Sequence, residues 1–562
     1  METYSSAQTQ SWLSWFLKGV LIVGFLMLSA RLYELQIVKG SYFRMLSEGN
    51  RIRRIEINAP RGNILGRGGE VLVGNREVSK LVVFDPEVGF EKVDATTSAD
   101  SNDLIVEWVR DYGLGEQFAH VSGYLGEFGS DEVDKVNPKC PNKGPRKLGK
   151  LTGRSGLEEM YECTLSGIDG EELVEVDSGG NKIRTLGKRN PVPGSDIKTT
   201  IHFGLQKKVA ELFSETKGAA VVTDVNGEVL AMYSSPSYDP NIFIKKGNSE
   251  KIRQAFEDED LPLFNRVIGG AFHPGSVFKP IVAVAALEEE IIDEKYTYDD
   301  PGIITIDSPY GTFSYSNWYF TQYQGREGKI GLARAITRST DTFFYKLGEL
   351  LGIDALDSWA NKFGLGDLTG IDIPGEIAGL VPSPLWKEKV RKEPWFLGNT
   401  YHMSIGQGDI TLTPIGINSA IAAIANDGLY CTPHILFDEG LGNDPPGQRP
   451  FGPEANFRCK DLGISKETIS IVKEGMVGAC SPGGTGFTFF DFSQKTNVST
   501  ACKTGTAETD EKGKTHAWFS AFAPYESVEI VATILVEKGG EGAYVAGPIA
   551  REIFDYWFTA NQ

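Results

Sequence analysis

Pro274-Gly275-Ser276-Val277-Phe278-Lys279-Pro280 runs directly into the apolar stretch Ile281-Val282-Ala283-Val284-Ala285-Ala286-Leu287. The pattern reads as a loop feeding a helix that is buried on nearly all sides. Ser276 would then sit at the helix N-terminus, where free N–H groups and the positive dipole end favour a developing oxyanion. Lys279 lies three residues on and projects from the same face. A serine hydroxyl is a weak nucleophile until a base takes its proton. A lysine buried near a second cation can lose enough basicity to be that base. Pro280 is tolerable only in or near the first turn. Alone, the tetrapeptide could equally be a helix cap followed by a surface lysine, so its context decides.

Two further motifs supply that context. Ser339-Thr340-Asp341 follows Ser276 by 63 residues, and Lys503-Thr504-Gly505-Thr506 follows Ser339 by 164. Ser339 opens the run Thr342-Phe343-Phe344-Tyr345, so it also reads as an N-cap serine before an apolar helix. Thr500 to Glu508 reads as an edge strand. Alternation puts Lys503 and Gly505 on one face, and Cys502 and Thr504 on the other. Gly505 would let a ligand backbone approach closely. Together the motifs offer a nucleophilic hydroxyl, a lysine one turn away, a second hydroxyl to relay protons and a cationic strand, as a serine acyl-transfer enzyme requires.

With these residues in place, the chain resembles the class B penicillin-binding proteins, the monofunctional DD-transpeptidases that cross-link peptidoglycan. The resemblance covers nearly the whole chain. Arg31 to Gly40 resembles the family's post-membrane segment, and Pro60 to Arg67 the entry to its pedestal. Gly153 to Glu158, continuing through Tyr161, Leu165, Gly167 and Gly170, resembles the join to the catalytic domain. Asn265-Arg266, Thr369 to Glu376 and Ile405-Gly406-Gln407-Gly408 complete the pattern. Asp341, where division-type members usually carry asparagine, is more similar to the elongation type, penicillin-binding protein 2. Trp395 to Thr400 and His516-Ala517-Trp518-Phe519 point the same way. Departures are His202, where the family usually has aspartate, and Cys502, where it has a small residue. Some elongation-type relatives hold a metal between the first two motifs. No Cys or His occurs from Val277 to Arg338, so zinc of that kind is not expected.

Composition agrees with these readings. A chain of 562 residues allows several domains, and a net charge of −19 argues against a nucleic-acid binder. The run Gly19 to Ala30 is apolar but too short to span a membrane alone; Trp12 to Phe16 and Leu32 to Leu35 extend it. A cleaved signal peptide is the alternative, but no A-x-A-like site follows at once. Met1 to Ser11 holds no Lys or Arg, so orientation rests partly on the resemblance. Six cysteines would lie outside the membrane. Cys140 and Cys163 could pair, the other four allow three connectivities, and Cys502 reads as a buried small hydrophobe.

The expected organisation is a cytoplasmic tail and transmembrane anchor over 1–40, a pedestal over 41–195 with a linker from Pro138 to Gly153, and a transpeptidase domain over 196–562. Gly218 to Asp224 and Val229 to Met232 flank Val225-Asn226-Gly227-Glu228, a strong hairpin signal. Ile530 to Val536 reads as a late strand, Pro548 to Phe558 as a closing helix, and Phe437 to Phe451 as a surface loop. The resemblance implies an α+β fold, a β-sheet with helices on both faces. It also implies a mechanism. Lys279 deprotonates Ser276, which attacks the penultimate D-Ala carbonyl of a donor stem peptide. The N–H groups of Ser276 and Thr506 form the oxyanion hole. Ser339 relays the proton, and Asp341 orients the Lys279 and Ser339 network. Lys503, Thr504 and Thr506 hold the donor carboxylate. Trp395 or Trp518 could wall out water. No metal or organic cofactor is implied. Implied partners are peptidoglycan stem peptides, β-lactams as inhibitors, a SEDS-type membrane glycosyltransferase and elongation-complex proteins. The place would be the bacterial cytoplasmic membrane, single-pass, with the catalytic domain extracytoplasmic. A membrane-bound β-lactam sensor, a β-lactamase-like hydrolase and a division-type transpeptidase are the alternatives.

Overall fold

Strands Gly218–Thr223 and Val229–Ser235 form the expected hairpin. Asp224 Oδ1 accepts from Asn226 N at 2.9 Å and from Glu228 N at 2.8 Å, and Gly227 turns the corner at φ 89°. In this computed structural model, which describes residues 11–85, 89–94, 104–177, 182–245, 247–308, 311–437 and 459–560, the hairpin starts a five-stranded antiparallel sheet. The spatial order is Val229–Ser235, Gly218–Thr223, Ile530–Val536, Thr515–Ala523, Ala501–Glu508. Strands from both ends of the domain therefore meet, and the Lys503 strand lies at the edge.

The sheet is buried on both faces, which explains why its strands read as continuous apolar runs rather than alternating ones. Ala219 and Val221 join Met232, Trp518, Phe522 and Leu535 in one apolar cluster. Their neighbours Ala220 and Val222 join Leu230, Phe519 and Ile534 in another. Helix Pro414–Ala425 packs on the first face, and helices Phe203–Leu212 and Gly542–Ala560 on the second. Thr413 starts the wholly buried Pro414–Ala425 helix by accepting from Gly416 N at 3.1 Å, with Pro414 in the first turn. The closing helix is longer than the sequence suggests, spanning Gly542–Ala560 with Pro548 inside.

The chain forms two compact units, each assembled from several segments. One takes Met1–Pro60, Glu77–Val109 and Ile168–Pro193. It carries an apolar helical span of 27 residues, Trp12–Val38, which contains an 18-residue stretch of mean hydropathy 1.9 and is long enough to cross a membrane. It also carries an antiparallel sheet of Ile52–Ile57, Gly170–Val176 and Lys182–Arg189, with Ile55, Val174 and Val176 as its small core. The other unit takes Arg61–Arg76, Arg110–Gly167 and Gly194–Gln562. Segments 61–76 and 110–167 fall inside the stretch expected as pedestal, yet they pack with the large sheet-bearing unit. The cause is apolar, and an ionic cluster joins the two segments to each other. Ile64, Leu72, Phe118, Leu157 and Tyr161 belong to the same cluster as the sheet's first face. Glu158, fully buried, meets Arg110 Nε at 2.6 Å and Arg61 Nη2 at 2.8 Å.

Several local expectations change. Pro138 to Gly153 is not a free linker: Cys140 is bonded to Cys163, and Leu151–Gly153 pairs with Leu125–Glu127. Cys431 pairs with Cys459 and Cys480 with Cys502, so Cys502 is half of a disulfide and not a lone small hydrophobe. Sequence spacing carried no signal for that choice, because it needs the strand and the helix end Lys466–Ala479 to be neighbours. The loop expected from Phe437 to Phe451 lies outside the described residues beyond Phe437.

The Glu158 cluster generates a stability prediction. Burial works against the carboxylate charge, but Arg61 and Arg110 outweigh it and hold its pKa below the ordinary 4.5. The contribution is therefore fully present above pH 4.5 and is lost as pH falls through the lower folded value. Glu158→Ala leaves the buried Arg110 guanidinium without a carboxylate, while Arg61 keeps Glu162, and is expected to cost about 3–5 kcal/mol. The check is a fall in the denaturant midpoint at constant m-value. Glu158→Gln should flatten the acid limb of stability.

Candidate active site

Ser276 lies in a single 3-10 turn, Gly275–Phe278, which leads into the helix Lys279–Glu288. Pro280 sits in that helix's first turn, where its missing N–H has no intrahelical partner to lose. Gly275 adopts φ 57°, and a Cβ there would stand 2.8 Å from Thr506 O. Its N–H donates to Gly406 O at 2.9 Å, and a Cβ on Gly406 would meet Gly275 O at 2.2 Å. These glycines let three backbones close together, which brings half-buried Ser276 against the Lys503 strand.

Lys279 is fully buried. Its Nζ donates to Ser339 O at 2.9 Å, Ser339 Oγ at 3.2 Å and Asp341 Oδ1 at 2.6 Å. All three ammonium hydrogens are thus committed, and none is directed at Ser276. Burial lowers the lysine's pKa below 10.5, against the opposing pull of Asp341.

Ser339 is not the N-cap that the sequence also allowed. It ends the preceding helix Leu332–Arg338 in the left-handed region at φ 57°, and Thr340 occupies the N-cap position of Asp341–Lys362. A non-glycine residue held there costs about 1–3 kcal/mol, so the surroundings must impose it. The result is that both its carbonyl and its hydroxyl face Lys279. Asp341 Oδ2 accepts from Trp318 N at 3.1 Å, leaving Oδ1 to the lysine.

Lys503 is also fully buried, which corrects its reading as a cation on an exposed strand edge. Its Nζ donates to Ser339 Oγ at 2.9 Å and to Thr504 O at 2.9 Å. Burial, and then the charge of Lys279, push its pKa well below 10.5. Ser339 Oγ therefore accepts from both lysines, which occupies its two lone pairs and leaves its own proton to donate.

The remaining strand residues differ from expectation in detail. Thr504 Oγ1 donates to Thr485 Oγ1 at 2.9 Å, and Thr506 Oγ1 accepts from Gly542 N at 3.3 Å. Gly505 is needed for packing: a Cβ would stand 2.9 Å from Trp518 Cβ, 3.0 Å from Val277 Cγ1 and 3.1 Å from Pro274 O. That close approach belongs to the protein's own Ser276 turn. Trp518 is wholly buried beneath it with Nε1 on His273 O, so it does not wall the cleft. Gln407 Nε2 donates to Thr506 O and its Oε1 accepts from Glu508 N, both at 3.3 Å. In an antiparallel strand N–H and C=O of one residue point to the same side. The N–H groups of Thr504 and Thr506 consequently point to the outer edge, away from Thr515–Ala523.

Sequence reasoning named Ser276, Lys279, Ser339, Asp341 and Lys503, and the last four meet in one hydrogen-bonded cluster. It missed Thr485, Trp318, Asn317 and Asp300, which belong to no motif and enter only through the fold. Gln407 stood in a quoted family segment without a role.

Known proteins share this architecture. Residues 218–555 match the family model of the penicillin binding protein transpeptidase domain, and residues 102–199 that of the penicillin-binding protein dimerisation domain. The peptidoglycan D,D-transpeptidase MrdA of Haemophilus influenzae is 33% identical over 97% of this chain and 91% of its own. PBP2 of Helicobacter pylori, in its complex with MreC, aligns with a TM-score of 0.74 at 25% identity, covering 91% of this chain and 99% of that one. PBP2 of Pseudomonas aeruginosa in complex with WCK 5153 gives 0.71 at 30% identity, covering 90% and 97%.

The buried lysine pair generates a stability prediction. Lys503's folded pKa lies below its unfolded value, so the unfolded chain binds more protons between the two. Stability then rises with pH across that window up to about 10.5. Lys503→Met removes a buried charge while roughly keeping volume. It should be neutral or stabilising by about 1–2 kcal/mol at pH 7, and should flatten the alkaline rise. Thermal melts between pH 7 and 10.5 test this.

Proposed function

The chain belongs to the penicillin-binding protein transpeptidases and is an elongation-type peptidoglycan D,D-transpeptidase; for its chemistry we propose that Ser276 is the acylated nucleophile and that Lys279, Ser339, Asp341 and Lys503 move its proton. The observation that carries this reading is the hydroxyl of Ser339 held between two buried lysines. Two ammonium groups and one carboxylate leave the cluster with one uncompensated positive charge. A cluster of that kind releases a proton readily, as a base for Ser276 must.

Neutral Lys279 takes the Ser276 Oγ proton as Oγ bonds to the penultimate D-Ala carbonyl carbon. The negative oxygen is met by the N–H groups of Ser276 and Thr506. The C–N bond then breaks, and Ser339 passes a proton to the departing D-alanine amine while recovering one from a lysine. An acceptor amine attacks the ester, yields its proton to the same network, and Ser276 Oγ leaves reprotonated. Lys503, with Thr504 and Thr506, pairs with the donor's terminal carboxylate, which supplies the missing negative charge. The donor lies along the outer edge of Ala501–Glu508 as an added strand.

Elongation-complex proteins are the partner class, supported by the Helicobacter relative's complex with MreC. A SEDS-type glycosyltransferase is the proposed membrane partner. We place Trp12–Val38 across the cytoplasmic membrane with the catalytic domain outside, residues 41–195 as pedestal and 196–562 as the transpeptidase domain.

Ser276→Ala should abolish covalent labelling by fluorescent penicillin with little change in melting temperature. Labelling that persists, with the adduct mapped to another residue, defeats the assignment. Wild-type adduct should remain for many minutes by intact-protein mass spectrometry; release within seconds with turnover indicates a hydrolase. Loss of all activity on a stem-peptide thioester, despite labelling, indicates a sensor.

Lys503→Ala should slow acylation by carboxylate-bearing β-lactams far more than by an analogue lacking the carboxylate, since a charged hydrogen bond contributes about 1.5–3 kcal/mol. Equal slowing of both would reassign Lys503 to proton transfer alone.

A further inference from the structure

The helix Trp318–Tyr323 donates a backbone N–H to Asp341, yet nothing in the three motifs fixes where that helix begins. Its preceding residue, Asn317, is wholly buried, and so is Asp300 at 2% exposure. Asp300 Oδ1 accepts from Gly302 N at 2.8 Å and Thr342 Oγ1 at 2.6 Å. Asp300 Oδ2 accepts from Glu327 N at 2.9 Å and Asn317 Nδ2 at 3.3 Å. One buried carboxylate thereby ties together four segments through neutral donors. Asn317 in turn accepts from Asp341 N at 3.4 Å through its side-chain oxygen, and its own N–H donates to Gly302 O at 2.8 Å. Trp318 is braced at its other end by Nε1 on Arg338 O at 2.9 Å, one residue before Ser339.

We propose that the Asp300–Asn317 pair is a positioning unit for acylation, which places the N–H of Trp318 on Asp341 Oδ2 and so leaves Asp341 Oδ1 alone to Lys279. The inference rests on the reading of Lys279 as base. Two layers of buried polar groups lead from Asp300 to the lysine, and neither residue can reach the reacting atoms. The charged and titratable groups facing this centre are Lys279, Lys503 and Asp341, with Tyr345 on the Asp341 side. Tyr298, Glu327 and Arg338 lie around the Asp300 layer.

The electrostatic consequence has a sign. A carboxylate that accepts the Trp318 N–H shares its charge between two partners. Without that donor, Asp341 holds the Lys279 proton more strongly, and the lysine becomes a base only at higher pH. Asn317→Ala is therefore expected to move the acid limb of the acylation rate upward by about one pH unit, which is about tenfold slower acylation on that limb. Above the limb the rate should return to within about twofold of wild type.

The experiment measures second-order acylation by fluorescent penicillin from pH 6 to 10 on the full chain in detergent, for wild type, Asn317→Ala, Asp300→Asn, Asp341→Asn and the double variant Asn317→Ala with Asp341→Asn. The expected result is an upward-shifted limb in Asn317→Ala and Asp300→Asn, with no further shift when Asn317→Ala is added to Asp341→Asn. Asp300→Asn keeps the shape of the carboxylate and stands in if Asn317→Ala does not fold. Uniform slowing at every pH, or a wild-type limb in both positioning variants, overturns the proposal. If the limb of Asp341→Asn coincides with that of wild type, the reading of Lys279 as base fails instead.

Discussion

One hydroxyl shared by two buried ammonium groups is the constraint on which the rest of this structure depends. Ser339 Oγ accepts from Lys279 and Lys503 while, among the described residues, Asp341 is the carboxylate that pairs with them. Moving a lysine ammonium out of water carries an effective penalty of several kcal/mol. No contact inside the cluster offsets that cost for both lysines, so the surrounding fold must hold them together. Ser339's left-handed backbone is part of the same cost, because that conformation is what turns its carbonyl and hydroxyl toward Lys279.

The sheet meets this demand by being apolar on both faces and open at one edge. Helices cover Gly218–Thr223 and Ile530–Val536 on either side, which makes the centre rigid. Among the described residues no strand pairs with the outer edge of Ala501–Glu508, on which Gln407 engages Thr506 O and Glu508 N. Small residues then decide how near the Ser276 turn can come. Gly505 and Gly275 each stand where a Cβ would strike a neighbouring backbone or core side chain. The disulfide Cys480–Cys502 joins the end of a helix to the residue before Lys503, so the strand is also held covalently.

Features made by local sequence were legible before any coordinates. The Asn226-Gly227 hairpin, the buried helix after Ser276 and the apolar N-terminal span each rest on short-range chemistry, and each occurs in the structure. The Ser276 to Lys503 motifs were legible because their order resembles a known family. What sequence missed depends on long-range closure. Lys503 alternates correctly on its strand, but its burial needs the Ser339 turn to cover it. The partner of Cys502 is set by where a helix ends. The interleaving of 61–76 and 110–167 with the large unit follows from scattered apolar residues such as Ile64, Phe118 and Leu157 that enter its core, while Glu158 joins the two segments to each other. Asp300 and Asn317 carry no motif at all; the segments of Asn317, Glu327 and Thr342 must first be brought to one carboxylate.

The charge imbalance also gives the proposed reaction a direction. Without an anion at the strand edge, the lysine pair favours losing a proton, and Lys503 feels both burial and the charge of Lys279. A donor carboxylate placed beside Lys503 reverses this, since a nearby opposite charge favours the protonated amine. Proton affinity then rises at Lys503 while Lys279 remains poised to take the Ser276 proton. Ser339 lies between them with its own proton free to donate. Binding the correct substrate end thus turns a repulsive pair of cations into a donor and an acceptor joined through one hydroxyl. The same argument explains why the lysines are buried despite the cost: in water both would stay charged near pH 7, and neither could serve as the base.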